Sequence, residues 1–207
     1  MTPERRRVVG ERLAGCVDPA RIVTDPETLR GYAEDYTELP ARMPDFVVKV
    51  ARAEEVAPIL RLASELRVPV VPALARSNVG GLCLPVAGGI VLDLMGLDRI
   101  LEVHEPDRYM VIEPGVTWQK VKDHLDAHHP ALRFGYSLSP PDTSVLGNLL
   151  MDGLSNLSLR WGSMSDWLNG MEIVQRCINS RVKHQTIGKR VGRQDHRREG
   201  VGHRDAR

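Results

Sequence analysis

The sequence predicts an α+β fold in which parallel and antiparallel strand pairing both occur. Two β-rich runs, Phe46-Val47-Val48-Lys49-Val50 and Val68-Pro69-Val70-Val71, flank a segment with helical apolar spacing. Strand, helix and strand in that order make a βαβ unit, so the two strands run parallel. Two later runs, Ile100 to His104 and Tyr109 to Ile112, meet at Glu105-Pro106-Asp107 and read as an antiparallel hairpin. Glycine-rich turns recur between such runs from residue 72 to residue 174, without the period of a regular element.

The elements follow in order. Residues 3–17 predict a short amphipathic helix with Val8, Val9, Leu13 and Val17 on one face. Asp25-Pro26-Glu27 is a helix start, with Asp25 as N-cap and Pro26 at the first helical position, and Leu29 and Tyr32 then face inward. The helix of the βαβ unit covers Glu54 to Arg67, burying Val56, Ile59, Leu60, Ala63 and Leu66; Pro58 is tolerated because it lies early. Gly89 to Leu94 is a further strand. Thr117 caps a helix that runs through about His128 and buries Val121 and Leu125. Residues 135–148 read as an ordered loop, and Glu172 to Val174 begins another strand.

At 207 residues the chain holds one sizeable domain, or a domain and a tail. No apolar run approaches the roughly 20 residues that cross a bilayer, and the charged start M-T-P-E-R-R-R has no apolar signal core. Cys16, Cys83 and Cys177 are scattered and odd in number, as for thiols in a reducing, cytoplasmic setting. The net charge of +1 hides an asymmetry: residues 175–207 hold ten Lys or Arg against three Asp or Glu, so the rest is acidic. Past Val174 the apolar pattern stops, and residues 175–207 are expected to be disordered.

Several pieces have chemical readings. Ser77, Asn78, Val79, Gly80 and Gly81 follow a strand. Consecutive backbone N–H groups in such a turn can cradle phosphate oxygens, and glycine lets the backbone approach closely. An ordinary turn is the competing reading, and no G-x-G-x-x-G opens a helix here. Pro140-Pro141-Asp142-Thr143-Ser144-Val145-Leu146-Gly147-Asn148 is either a proline-stiffened surface loop or a second wall of a dinucleotide site. Glu113-Pro114-Gly115-Val116-Thr117 reads mainly as structure: strand end, turn and helix cap. His124 and His128 form an i, i+4 pair with metal-ligand spacing, but a solvated polar face explains them better and no metal is assigned.

Taken together, I-V-L-D at 90–93, E-P-G-V-T at 113–117, S-V-L-G-N at 144–148 and G-M-E-I-V at 170–174 resemble one pattern. It is the FAD-binding domain of the vanillyl-alcohol oxidase / 4-cresol dehydrogenase / glycolate oxidase flavoprotein subunit superfamily, the PCMH-type FAD-linked oxidases. The resemblance covers roughly residues 20–174. It implies a βαβ subdomain joined to a mixed or antiparallel sheet subdomain. It also implies FAD as cofactor and oxidation of an alcohol, hydroxy acid or phenol by hydride transfer to the flavin. It aligns Ser77 to Gly81, Pro141, Asp142, Ser144, Gly147, Asn148, Gly162 and Ile173 with positions that line FAD. Arg76 and Leu74 stand where a G-x-G-T-S loop has glycines, and Arg76 either adds charge to a phosphate contact or obstructs it. The loop lacks the histidine that some relatives link to flavin, so binding is expected to be non-covalent.

In that family a hairpin and then a substrate-covering domain follow G-M-E-V-V, and neither is recognisable after Gln175. The expectation is a partial FAD-binding domain over residues 1–174 and a basic tail over 175–207 that is truncated or out-of-frame sequence. A small-molecule substrate is then expected only if another domain or subunit completes the site, and no catalytic residue is assigned. The rival reading is a non-catalytic fold remnant, or a subunit whose basic tail binds a partner or nucleic acid. The tail has no aromatics for base stacking, which argues against nucleic acid.

Overall fold

The computed structural model describes residues 1–176 and 182–188. Helix α1 (Pro3–Ala14) starts at Thr2, whose hydroxyl accepts from the Arg5 N–H. Strand β1 (Ile22–Val23) and helix α2 (Pro26–Arg30) follow, and Asp25 caps α2 by accepting from the Thr28 N–H. Strand β2 (Phe46–Lys49), helix α3 (Val56–Glu65), strand β3 (Val70–Ala73) and strand β4 (Ile90–Asp93) complete the first half.

These strands form one mixed sheet in the order β1-β2-β4-β3. β2 and β3 both pair parallel with β4, and β1 pairs antiparallel with β2. The strands of the βαβ unit therefore run parallel as expected, with β4 inserted between them. β2 and β4 are covered on both faces, which is why F-V-V and I-V-L read as unbroken apolar runs. Phe46, Val48, Ile90 and Leu92 pack on one face with Val9 and Leu13 of α1 and Ile59 and Leu62 of α3. Val47 and Val91 pack on the other with Leu29. Two expected core positions change: Leu62, not Leu60, is fully buried in α3, and Val8 lies exposed beside buried Val9.

The second half has its own core. Strands β5 (Ile100–His104) and β6 (Tyr109–Ile112) pair antiparallel as a hairpin. Helix α4 (Trp118–His128) is capped by Thr117 and buries Val121 and Leu125. Val116, Trp118, Val145 and Met164 join them in a cluster floored by Ile100, Val103, Met110 and Ile112. The expected loop at 135–148 ends earlier, because Ser144 caps helix α5 (Val145–Leu150). Short helix α6 (Ser158–Trp161) leads to strand β7 (Gly170–Arg176).

Strand β8 (Val182–Gly188) pairs antiparallel with β7 through seven residue pairs, from Gly170↔Gly188 to Arg176↔Val182. The expectation that regular structure stops after Val174 is thus corrected for Gln175, Arg176 and 182–188. An open β7 edge takes a partner strand. The remaining positions of the expected tail, 177–181 and 189–207, lie outside the described residues. Among the described residues no helix is long and apolar enough to cross a membrane.

Candidate cofactor site

The first wall of the site is the loop that leaves the C-terminal end of β3. Asn78 builds it: its Oδ1 accepts from the Gly80 and Leu82 N–H groups, each at 3.1 Å, and its Nδ2 donates to Cys83 Sγ at 3.2 Å. Gly81 has φ +72°, a left-handed value that glycine adopts without strain. A Cβ there would come within 2.7 Å of Leu39 Cδ1, so the segment around Leu39 lies tightly against the loop. The Tyr36 N–H donates to the Asn78 carbonyl at 3.2 Å. Among the described residues, the N–H groups of Arg76, Ser77, Asn78, Val79 and Gly81 have no protein acceptor. A cluster of open amide donors in a turn is the donor set an anion requires.

Arg76 stands in this loop with φ +52°, yet its guanidinium is engaged elsewhere. It lies over the Tyr32 ring, 4.3 Å from the centroid, and donates to the Gly31 carbonyl. The Tyr32 hydroxyl donates to Asp93 Oδ2 at 2.6 Å. Burial and the Asp93 hydrogen bond push the Tyr32 phenol well above its ordinary range.

The second wall is the 139–148 loop, stitched to the start of α4. The Gln119 N–H donates to the Pro141 carbonyl at 2.8 Å, and the Val145 N–H to the Val116 carbonyl at 2.9 Å. Ser144 Oγ accepts from the Gly147 N–H at 3.1 Å and donates to the Pro114 carbonyl at 2.6 Å. Asn148 joins four partners. Its Oδ1 accepts from Trp118 Nε1 at 2.6 Å, Ser137 Oγ at 3.0 Å and Thr143 Oγ1 at 3.3 Å, and its Nδ2 donates to Ser139 Oγ at 3.1 Å. Gly147 brings the two walls together: a Cβ there would lie 3.8 Å from Leu74 Cδ1, at the foot of the first loop.

The predicted residues therefore divide. Ser77, Val79, Gly80 and Gly81 present backbone along the first loop. The side chains of Asn78, Ser144 and Asn148 are spent holding the two walls in shape. Pro141 and Asp142 are exposed in the second loop. Gly162, with φ +78°, ends α6, its N–H bonded to the Ser158 carbonyl at 3.0 Å. Ile173 sits half-buried in β7, on the hairpin that contacts α3. Sequence reasoning missed the strap at 31–39, which carries no apolar period, and the Trp118–Asn148 bond, which joins residues far apart in the chain.

Each residue of E-P-G-V-T has a structural role. Glu113 is buried, accepts from the Arg99 N–H at 2.7 Å and pairs with its guanidinium at 2.6 Å. That hydrogen bond holds the Glu113 carboxyl below its ordinary range. Pro114 receives the Ser144 hydroxyl, Val116 is fully buried and Thr117 caps α4. Asn148→Ala should cost about 1–3 kcal/mol, because the N–H of buried Trp118 loses its acceptor. Urea unfolding measures this, and an unchanged midpoint would remove Asn148 from the role given to it.

A βαβ sheet whose loop carries open amide donors thus lies beside a hairpin-and-helix unit whose 139–148 loop approaches it at Leu74. The chain belongs to the family described as FAD binding domain, whose profile matches residues 44–177. It is 26% identical over 165 residues to D-2-hydroxyglutarate dehydrogenase of Stutzerimonas stutzeri (strain A1501), covering 79% of this chain and 35% of that protein. It is 31% identical over 149 residues to the glycolate oxidase subunit GlcD of Bacillus subtilis (strain 168), covering 69% of this chain and 30% of that one. Among solved structures, p-cresol methylhydroxylase with substrate bound superposes with a TM-score of 0.74 at 21% identity. That match covers 89% of this chain and 36% of the other, and shows a PCMH-type fold. The chain thus spans about a third of the length of these relatives. FAD is the cofactor of the domain.

Proposed function

We propose that the loop at 76–81 and the wall at 139–148 hold FAD, and that the chain serves as the flavin-binding part of an oxidoreductase. The substrate would be an alcohol, a hydroxy acid or a phenol. The carrying observation is the set of five N–H groups between Arg76 and Gly81 with no protein acceptor among the described residues. These amides fit the two negative charges of a pyrophosphate, and each hydrogen bond to a charged oxygen contributes on the order of 1.5–3 kcal/mol. Gly80 has no neighbour nearer than 3.9 Å to a would-be Cβ, which leaves space beside this backbone. When bound, FAD takes up the hydride that oxidation of such a substrate releases. The chain's own residues bind and orient it. Asn78 fixes the curvature of the first loop, and Ser144 and Asn148 fix the second. Residues that meet the substrate would come from another part of the polypeptide or from a second subunit, as the relatives' greater length suggests.

The test is the visible spectrum of the purified chain after incubation with FAD and desalting. Retained flavin absorption is expected, together with its loss in Gly80→Trp, which fills the space beside the open amides. A soluble wild-type chain that keeps no flavin and does not quench flavin fluorescence in titration would overturn the reading.

A further inference from the structure

We propose that Arg76 is a positioning residue for the cofactor loop: it latches the 31–39 strap to the 76–81 loop through Tyr32 and Gly31, and does not itself contact phosphate. The proposal rests on the reading of 76–81 as the FAD pyrophosphate loop. An arginine placed to neutralise phosphate should hold its guanidinium free for the ligand. Here the cation lies 4.3 Å from the Tyr32 ring centroid and donates to the Gly31 carbonyl. That carbonyl belongs to the residue closing α2, the end of a helix where cations are favoured. Tyr32 is itself held, because its hydroxyl donates to Asp93 Oδ2 at 2.6 Å while Asp93 Oδ1 accepts from the Met95 N–H at 3.0 Å. A connected path therefore runs from the end of β4 through Tyr32 to Arg76.

The strap meets the loop at two further points, Tyr36 N–H to the Asn78 carbonyl and Leu39 against Gly81. Three contacts on one short loop hold its backbone in a single curvature. Backbone at φ +52° is an uncommon conformation for arginine and persists only where surrounding contacts enforce it. The Tyr32 and Gly31 contacts supply that enforcement, and the conformation leaves the neighbouring amides open. Pre-organised amides lose less freedom on binding, so the latch should appear in affinity without a phosphate contact of its own.

The experiment is a double-mutant cycle on the full chain with Arg76→Gln, Tyr32→Leu and both together. Each variant is read by FAD titration and by amide hydrogen exchange without FAD at Tyr36, Gly80 and Leu82, whose N–H groups are hydrogen-bonded where strap and loop meet. Each single change should weaken FAD binding about tenfold and speed exchange in the loop, and the double should be no worse than either single. Arg76→Lys keeps a cation over the ring but loses the planar fork, so it should fall between wild type and Arg76→Gln in both readouts. The proposal is overturned if Arg76→Gln weakens FAD by the same factor with Tyr32→Leu present as without it while loop exchange is unchanged, the signature of a direct phosphate contact. It is overturned equally if neither readout moves. Should wild type take up no FAD, the cofactor reading fails, while the exchange cycle without FAD still decides the latch. Circular dichroism identifies any variant that fails to fold, and the Arg76→Lys comparison then carries the decision.

Discussion

Gly115→Ala should destabilise the domain by about 3 kcal/mol or more, because a Cβ at this position has nowhere to go. It would lie 2.5 Å from the Met95 carbonyl oxygen and 2.8 Å from those of Leu94 and Leu97. All three are backbone atoms and cannot swing aside as a side-chain end would. The turn that carries them is bonded on both sides, Leu94 N–H to the Ala73 carbonyl at 3.0 Å and Leu97 N–H to the Leu94 carbonyl at 3.0 Å. Gly115 itself donates to the Leu97 carbonyl at 2.7 Å. The crossing joins the two halves of the molecule: Leu94 and Leu97 pack in the sheet core, while Val116 packs in the α4 core. A shift there strains both cores, in a domain whose whole stability is on the order of 5–15 kcal/mol. Gly80→Ala is the control, expected within about 0.5 kcal/mol of wild type because its Cβ meets nothing nearer than 3.9 Å, an ordinary van der Waals contact. Urea midpoints by circular dichroism compare the two, and equal midpoints would sink the argument.

That crossing also shows what the sequence makes legible. Gly115 stands out only as part of a motif, and its three carbonyl neighbours lie in a turn about twenty residues earlier. Elements written by local chemistry are readable: the apolar runs of β2 and β4, the Asp25 and Thr117 caps, and the Pro106 turn between β5 and β6. Elements set by long-range pairing are not. The insertion of β4 between β2 and β3 depends on which strand edge is free. Leu62 replaces Leu60 in the core because the exact rotation of α3 is decided by what it packs against. β8 needs the open edge of β7, and nothing in its basic, period-free sequence announces it.

The candidate site divides along the same line. The glycines and the Ser-Asn pattern at 77–81 mark a tight turn with open amides, because backbone freedom is a local property. The direction of Arg76 is not local. Its charge invites a phosphate reading, and the structure turns it to Tyr32 and Gly31, more than forty residues away in the chain. Asn148 likewise suits a ligand-facing role, yet its amide is occupied by Trp118, Ser137, Thr143 and Ser139. Residue identity names a polar group; only the fold decides whether its hydrogen bonds remain available.

Glu55→Gln should cost about 2–3 kcal/mol at neutral pH, and the cost should shrink in acid. Glu55 is 4% exposed at the start of α3 and accepts a two-pronged pair from Arg21, at 2.6 and 2.7 Å. It also accepts from the Ala51 N–H at 3.1 Å and Arg52 Nε at 3.3 Å. The carboxylate thus ties the turn before β1 to the end of β2 and the start of α3. Glutamine keeps the shape but removes the charge that Arg21 faces. Arg21 is a quarter exposed and partly rehydrates, which places the cost below that of a fully buried pair. The hydrogen bond from Arg21 outweighs burial and lowers the carboxyl from an ordinary 4.5 to about 2. A depressed folded-state value contributes stability above the unfolded value and loses it as pH falls through the folded one. The contribution should therefore be full above pH 4.5 and vanish towards pH 2, with a span of about 3 kcal/mol. Glu113, lowered by Arg99, acts in the same direction in the other half of the molecule. Urea midpoints for wild type and Glu55→Gln should differ most at pH 7 and converge as pH falls to about 2. A difference that stays constant across that range would show that the pair's charge is not what holds these three segments together.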